Sequence, residues 1–111
     1  MTPEAKVKSA IKKYLISVGF WPAGAKQPED CRGWFYMPVS NGMGVHGIPD
    51  FVCCYRGRAL YIEAKAGDEQ PTPNQEQRHV EISAAGGYVV VANDVSQVID
   101  VIKKIDGDID G

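Results

Sequence analysis

Cysteine, long apolar runs and excess positive charge are all scarce in this sequence. Cys31, Cys53 and Cys54 are an odd number, and two of them are adjacent inside an apolar run. That excludes a disulfide framework and predicts a reducing compartment. No apolar run approaches the roughly 20 residues that a membrane helix needs. The opening MTPEAKVKSAIKKYL lacks the continuous apolar centre of a secretory signal, so a cytoplasmic protein with no membrane partner is expected. Lys and Arg number 12 against 14 Asp and Glu, a net charge of −2, and the pI is about 5.6. A basic coat for non-specific nucleic-acid binding is therefore excluded, whereas a local basic patch or a metal-mediated phosphate contact is not. Internal repeats and low-complexity linkers are absent as well.

What is present has an ordinary globular composition. Apolar residues make up 44% and charged residues 23% of 111 residues, which rules out wholesale disorder and predicts a single domain spanning 1–111. Val7, Ile11, Tyr14, Leu15 and Val18 recur at helical spacing and predict a helix over 3–18, with Pro3 in its first turn and Gly19 closing it. Pro22, Gly24 and Pro28 make 20–30 a loop by breaker count. A strand over 34–39 should be cut short or set at an edge by Pro38. Asn41 to Gly47 is glycine-rich and lacks the GK[ST] ending of a phosphate-binding loop, which makes it an approach to whatever follows. Residues 51–55 and 59–65 are β-rich runs flanking Arg56-Gly57, the pattern of a hairpin.

Further on, Thr72-Pro73-Asn74-Gln75 reads as a capping box opening a helix to Ala85, which stops at Gly86-Gly87. YVVVA over 88–92 is a continuous apolar strand of the kind covered on both faces. Ser96 is expected to cap a last helix through Ile105, leaving 106–111 as a polar tail. The order α-β-β-β-α-β-α implies an α/β fold, a mixed sheet flanked by helices. Cys53 and Cys54 alternate faces of a buried strand and are assigned to packing.

The chemistry gathers around Ile48-Pro49-Asp50 and Glu63-Ala64-Lys65. If Arg56-Gly57 is a two-residue turn, counting outward sets Asp50 against Glu63, with Cβ atoms roughly 4.5–5.5 Å apart. A three-residue turn would shift the register by one. Two facing carboxylates repel, and a shared cation is the usual remedy. Glu63 and Lys65 project from one face of their strand, with Leu60, Ile62 and Ala64 on the other. Acidic oxygens without a Cys or His cluster form a hard-oxygen site suited to Mg²⁺ or Mn²⁺. A lysine beside it can orient a water or offset charge developing on a phosphorane, so phosphodiester hydrolysis is the reaction these parts suit.

Gly47-Ile-Pro-Asp-Phe51, Tyr61-Ile-Glu-Ala-Lys65 and Thr72-Pro-Asn-Gln75 together resemble the PD-(D/E)xK nuclease superfamily, and within it the virus-type replication-repair nuclease (VRR-NUC) branch. The resemblance covers nearly the whole chain and implies a restriction-endonuclease-like αβββαβ core. It also implies that Asp50 and Glu63 ligate the metal, that the Ala64 carbonyl can add a ligand, and that Lys65 is catalytic. Gln75 matches a glutamine that the family carries on the helix after the ExK strand, although its capping role explains it equally well. Related nucleases place a glutamate on the first helix near the metal, which suggests Glu4. The alternative for Glu4 is a helix-end acid favoured by the dipole. Lys6, Lys12, Lys13, Lys26 and His46 are candidate contacts to the DNA backbone. His79 reads as packing.

Stand-alone members of this branch, many of them from phages, act like Holliday-junction resolvases. The resemblance therefore implies branched DNA as partner, a homodimer, and, for a phage-encoded chain, the bacterial host cytoplasm. Trp21, Trp34, Phe35 and Tyr36 are the candidate dimer surface. Two rival readings are a non-catalytic DNA-binding or assembly module of the same fold, and an unrelated metal hydrolase acting on nucleotides.

Overall fold

Two of the three helices start at Thr-Pro steps. In the computed structural model, which describes residues 1–39 and 43–111, the Thr2 hydroxyl accepts the Ala5 N–H at 3.1 Å. Pro3 then opens α1 (Pro3–Ser17), where its missing N–H costs nothing. Gly19 follows at φ 94°, and a Cβ there would stand 2.4 Å from the Asp30 carbonyl oxygen. Thr72 and Gln75 form the full capping box of α2 (Pro73–Ala84). The third helix, α3 (Val95–Asp110), is capped by Asp94 with Gln97 completing the box, so the cap lies two residues before Ser96.

The expected polar tail is also helical. Ile105 is buried and Ile109 packs on the core, continuing the apolar stripe. The acids of this segment find partners: Asp106 accepts from the Tyr55 hydroxyl at 2.8 Å and pairs with Arg56, Asp110 pairs with Arg56, and Asp108 accepts from Tyr88 at 2.6 Å.

Five strands make one mixed sheet in the order β1-β2-β3-β4-β5. They are β1 (Phe20–Pro22), β2 (Gly33–Tyr36), β3 (Phe51–Tyr55), β4 (Arg58–Ala64) and β5 (Tyr88–Ala92). β1 lies inside the stretch expected to be a loop. Three residues suffice because Phe20, Trp21 and Pro22 pair in parallel with Gly33, Trp34 and Phe35, and Phe20 is buried against Tyr55 with ring centroids 5.5 Å apart. β2 ends before Pro38, as the proline requires.

Tyr55 pairs with Arg58 across Arg56 (φ 48°) and Gly57 (φ 78°), a two-residue turn with positive φ at both positions. β2 and β4 both run antiparallel to β3, while β4 and β5 are parallel.

The core lies between one face of the sheet and α1 with α3. Ile11 and Leu15 meet Phe35, Phe51, Leu60, Ile62, Ala92, Val98 and Ile102 there. The opposite face carries α2, which packs on β5. β5 is thus an edge strand with a helix on each face, which accounts for its unbroken apolar pattern. Among the described residues no helix packs on the β2–β3 part of the second face. Cys54, Trp34 and Tyr36 are exposed there, contrary to the packing role expected of Cys54, while Phe35 points into the core and leaves the candidate dimer surface.

Candidate metal centre and active site

The functional candidates collect at one end of the sheet, where the start of β3, the end of β4 and the first turns of α1 and α2 meet. The hairpin register ends with Phe51 facing Ile62; counted one and two residues farther it sets Asp50 against Glu63 and Pro49 against Ala64, and the hydrogen bond between Ala64 and Asp50 agrees with that count. In a hairpin closed by a two-residue turn the bonded pairs alternate outward from the turn. Asp50 and Glu63 therefore fall at a non-hydrogen-bonded position, where facing side chains come closest. At the next position Pro49 has no N–H to give. The Ala64 N–H donates instead to Asp50 Oδ2 at 2.8 Å.

Glu63 is 2% exposed. Its Oε2 accepts from Gln75 Nε2 at 3.4 Å. Its Oε1 is buried with no hydrogen-bond partner among the described residues, and His79 Nε2 stands 3.6 Å away. Burial pushes the Glu63 carboxyl up to about 8, and the hydrogen bond and charge of Asp50 and the charge of Glu4 push the same way against the pull of Lys65. Burial also lowers the His79 pKa, so this ring supplies no charge to Glu63 at neutral pH.

Lys65 is 6% exposed. Its ammonium lies 3.5 Å from Glu69 Oε1 and 3.9 Å from Glu4 Oε1. Glu4 thus reaches the site from α1 and meets the lysine. Gln75 does both of the things foreseen for it: its Oε1 accepts the Thr72 N–H at 2.9 Å while its Nε2 faces Glu63.

The approach to Asp50 is locked to α2. Gly47 has φ 88°, and a Cβ there would come within 2.5 Å of the Asn74 carbonyl group. Arg78 donates to the His46 carbonyl at 3.1 Å. The His46 side chain is exposed, beside a groove of 380 Å³ whose walls include Lys8, Ile48 and Asp50. Ser40, Asn41 and Gly42, at the head of the glycine-rich loop, lie outside the described residues.

Lys6, Lys12, Lys13 and Lys26 are exposed, and none is ion-paired among the described residues. They are not gathered at the carboxylates. Lys6 borders Asn93 and Asp94, and Lys12 borders Pro22 and Tyr36. Sequence reasoning missed Lys8, whose ammonium lies 3.4 Å from Asp50 Oδ1. The available signal was its position four residues after Glu4, which sets both on one side of the helix. Glu69, in a loop without periodicity, gives no such signal, and His79, expected to pack, stands with its Nε2 beside Glu63.

The donor set fits a divalent cation. A buried, partnerless carboxylate oxygen facing a second carboxylate is expensive in isolation, and a hard cation with retained waters removes that cost. Among the described residues no three His, Cys, Asp or Glu side chains form a ready-made cage. The two facing carboxylates, Asp50 and Glu63, are the candidate donors, and magnesium is a cation that is held by as few as one or two.

No family model matches the chain. The protein named "Putative nuclease p44" of Acyrthosiphon pisum secondary endosymbiont phage 1 is 34% identical over 98 residues, covering 86% of this chain and 94% of its own length. Two solved structures share the fold. One, a VRR_NUC domain, superposes with a TM-score of 0.67 at 23% identity, covering 93% of this chain and 97% of its own. The other, a VRR_NUC domain protein, gives 0.61 at 19% identity, covering 90% and 84%.

Proposed function

The chain belongs to the VRR-NUC family, and on that premise we propose that it is a divalent-metal-dependent DNA endonuclease of PD-(D/E)xK type. The observation that carries the reading is Glu63: buried, facing Asp50, with a partnerless Oε1 and a buried lysine two residues on. Asp50, Glu63 and the Ala64 carbonyl hold Mg²⁺ or Mn²⁺ in this reading. When bound, such an ion polarises the scissile phosphate and makes a water nucleophilic near neutral pH.

The protein's own groups do the rest. Lys65 carries its charge into a buried position through Glu69 and Glu4, and offsets the charge that grows on the phosphate oxygens as water attacks. Gln75, tied to Thr72, orients Glu63. Glu4 steadies Lys65 and would be a further candidate ligand to the ion. His46, Lys6, Lys12, Lys13 and Lys26 contact backbone phosphates farther out, and at a net charge of −2 such contacts are local.

The substrate we favour is branched DNA cut by a homodimer, because the family resemblance implies it and because Trp34 and Tyr36 stand exposed on the uncovered half of the sheet. No helix of the described residues is long and apolar enough to cross a membrane. The site of action is the cytoplasm, a bacterial host's if the gene, like that of the relative, is a phage's.

Four-way junction, flap, duplex and single-stranded DNA, incubated with Mg²⁺, Mn²⁺ or Ca²⁺, test the reading on one gel. Cleavage by the wild type that is lost in Asp50→Asn, Glu63→Gln and Lys65→Ala supports it. Near-normal turnover by any of the three variants in Mg²⁺ refutes it. Light scattering tests the dimer, which fails if the particle is 12.1 kDa at micromolar concentration.

A further inference from the structure

Each oxygen of Asp50 already has a partner. Oδ2 takes the Ala64 N–H at 2.8 Å, and Oδ1 faces the Lys8 ammonium at 3.4 Å. The first contact is backbone to carboxylate and rigid. The second ends a flexible four-carbon stem whose side chain is 35% exposed. An ion that bound at Oδ1 would compete with the Lys8 ammonium for that atom. Lys8 and Asp50 both line the 380 Å³ groove whose walls include His46, Gly47, Ile48 and Pro49. Rotation about its flexible stem would carry the ammonium away from Asp50 along that groove.

Resting on the metal-dependent reading above, we propose that Lys8 is a counter-ion that exchanges roles. Without metal it neutralises Asp50; with metal bound it is released and holds a phosphate oxygen of the DNA strand in the groove. This makes ion binding and DNA binding mutually dependent, because each favours the released position of one side chain. A lysine suits the exchange as a compact charge with no fixed geometry of its own. The crossed pairs Lys8–Asp50 and Glu4–Lys65 also explain why α1 presents an acid and a base one turn apart at this end of the sheet.

Calorimetric titration with Mn²⁺, and fluorescence anisotropy with a labelled DNA junction in non-cleaving Ca²⁺, test the proposal on Lys8→Met, Lys8→Gln and Lys8→Arg. Each variant is first checked for wild-type circular dichroism. Removing the charge should tighten Mn²⁺ about 3- to 10-fold in the absence of DNA and weaken DNA binding in Ca²⁺ by a similar factor. KM should rise more than kcat falls, and Lys8→Arg should recover most of the DNA affinity. Unchanged or weaker Mn²⁺ binding in both neutral variants overturns the exchange, as does unchanged DNA affinity. Asp50→Asn separates the two levels. If it binds Mn²⁺ like the wild type, the metal-centre reading itself fails; if it loses Mn²⁺ while Lys8→Met matches the wild type, only the role of Lys8 fails.

Discussion

Glu63→Gln should abolish cleavage and yet stabilise the metal-free protein, increasingly as pH rises. A carboxyl held at about 8 when folded binds its proton more tightly folded than unfolded. The associated stability is fully present below the ordinary value of 4.5 and is lost as pH rises through about 8. Taken whole, that difference is worth about 4–5 kcal/mol. Asp50, whose side chain is 19% exposed, lets water screen part of the repulsion, so about 2–3 kcal/mol is the working figure. For a domain of this size that is a Tm higher by ~8–12 °C at pH 8.5, shrinking towards zero at pH 4.5. Of the other groups facing Glu63, the ionisable Asp50, Lys65, Glu4 and His79 are common to both proteins. His79 contributes a slope of opposite sign below about pH 6.5, because its folded value is lowered; it cancels in the difference. Differential scanning fluorimetry from pH 4.5 to 9 in EDTA reads the effect. Millimolar Mn²⁺ should then raise the wild-type Tm at pH 8.5 and leave the variant unmoved. A Tm difference that is flat with pH, or a Gln variant less stable at pH 8.5, would refute the argument from burial and repulsion.

Three further outcomes follow from neighbouring geometry. Pro49→Ala restores an N–H opposite the Ala64 carbonyl; Mn²⁺ affinity should fall several-fold by calorimetry with Tm unchanged or higher, and unchanged affinity would mean that the carbonyl is not a ligand. Gly47→Ala drives a Cβ to 2.5 Å from the Asn74 carbonyl at φ 88°; urea melts should show a loss of about 2–4 kcal/mol, with activity falling as Asp50 shifts. Asp106→Ala strips the Tyr55 hydroxyl and Arg56 of their shared acceptor and should lower the urea midpoint in the same assay. Cleavage by the Asp106 variant should stay normal below its melting range, since Asp106 lies at the turn end of the hairpin, away from Asp50.

The parts of the fold that were legible in the sequence are those whose cause is local. Arg56-Gly57 between two β-rich runs fixes a two-residue turn, and the turn alone carries the register out to Asp50 and Glu63. Thr-Pro steps open α1 and α2 for reasons contained within four residues. β1 was invisible because Pro22 and Gly24 read as breakers, while the pairing that makes it a strand comes from Gly33, Trp34 and Phe35, which are distant in sequence. The end of α3 was lost in the same way. Asp106 and Asp108 look like tail residues until Arg56, Tyr55 and Tyr88 are seen to hold them.

At the site itself the limit is of a different kind. Periodicity says which residues share a side of α1, but it does not say that the first turns of that helix overhang the end of the sheet. Lys8 therefore stayed outside the reading although Glu4 was in it. Gln75 presents the converse case, since capping and contact with Glu63 looked like rival explanations. The structure makes them one: the Oε1 bond to the Thr72 N–H is what aims Nε2 at Glu63. Pro49, two residues ahead of β3, likewise has no N–H to offer the strand opposite. A site assembled from the ends of elements uses residues that ends require anyway. Local rules account for those residues completely, and their second use becomes visible only when the ends are brought together.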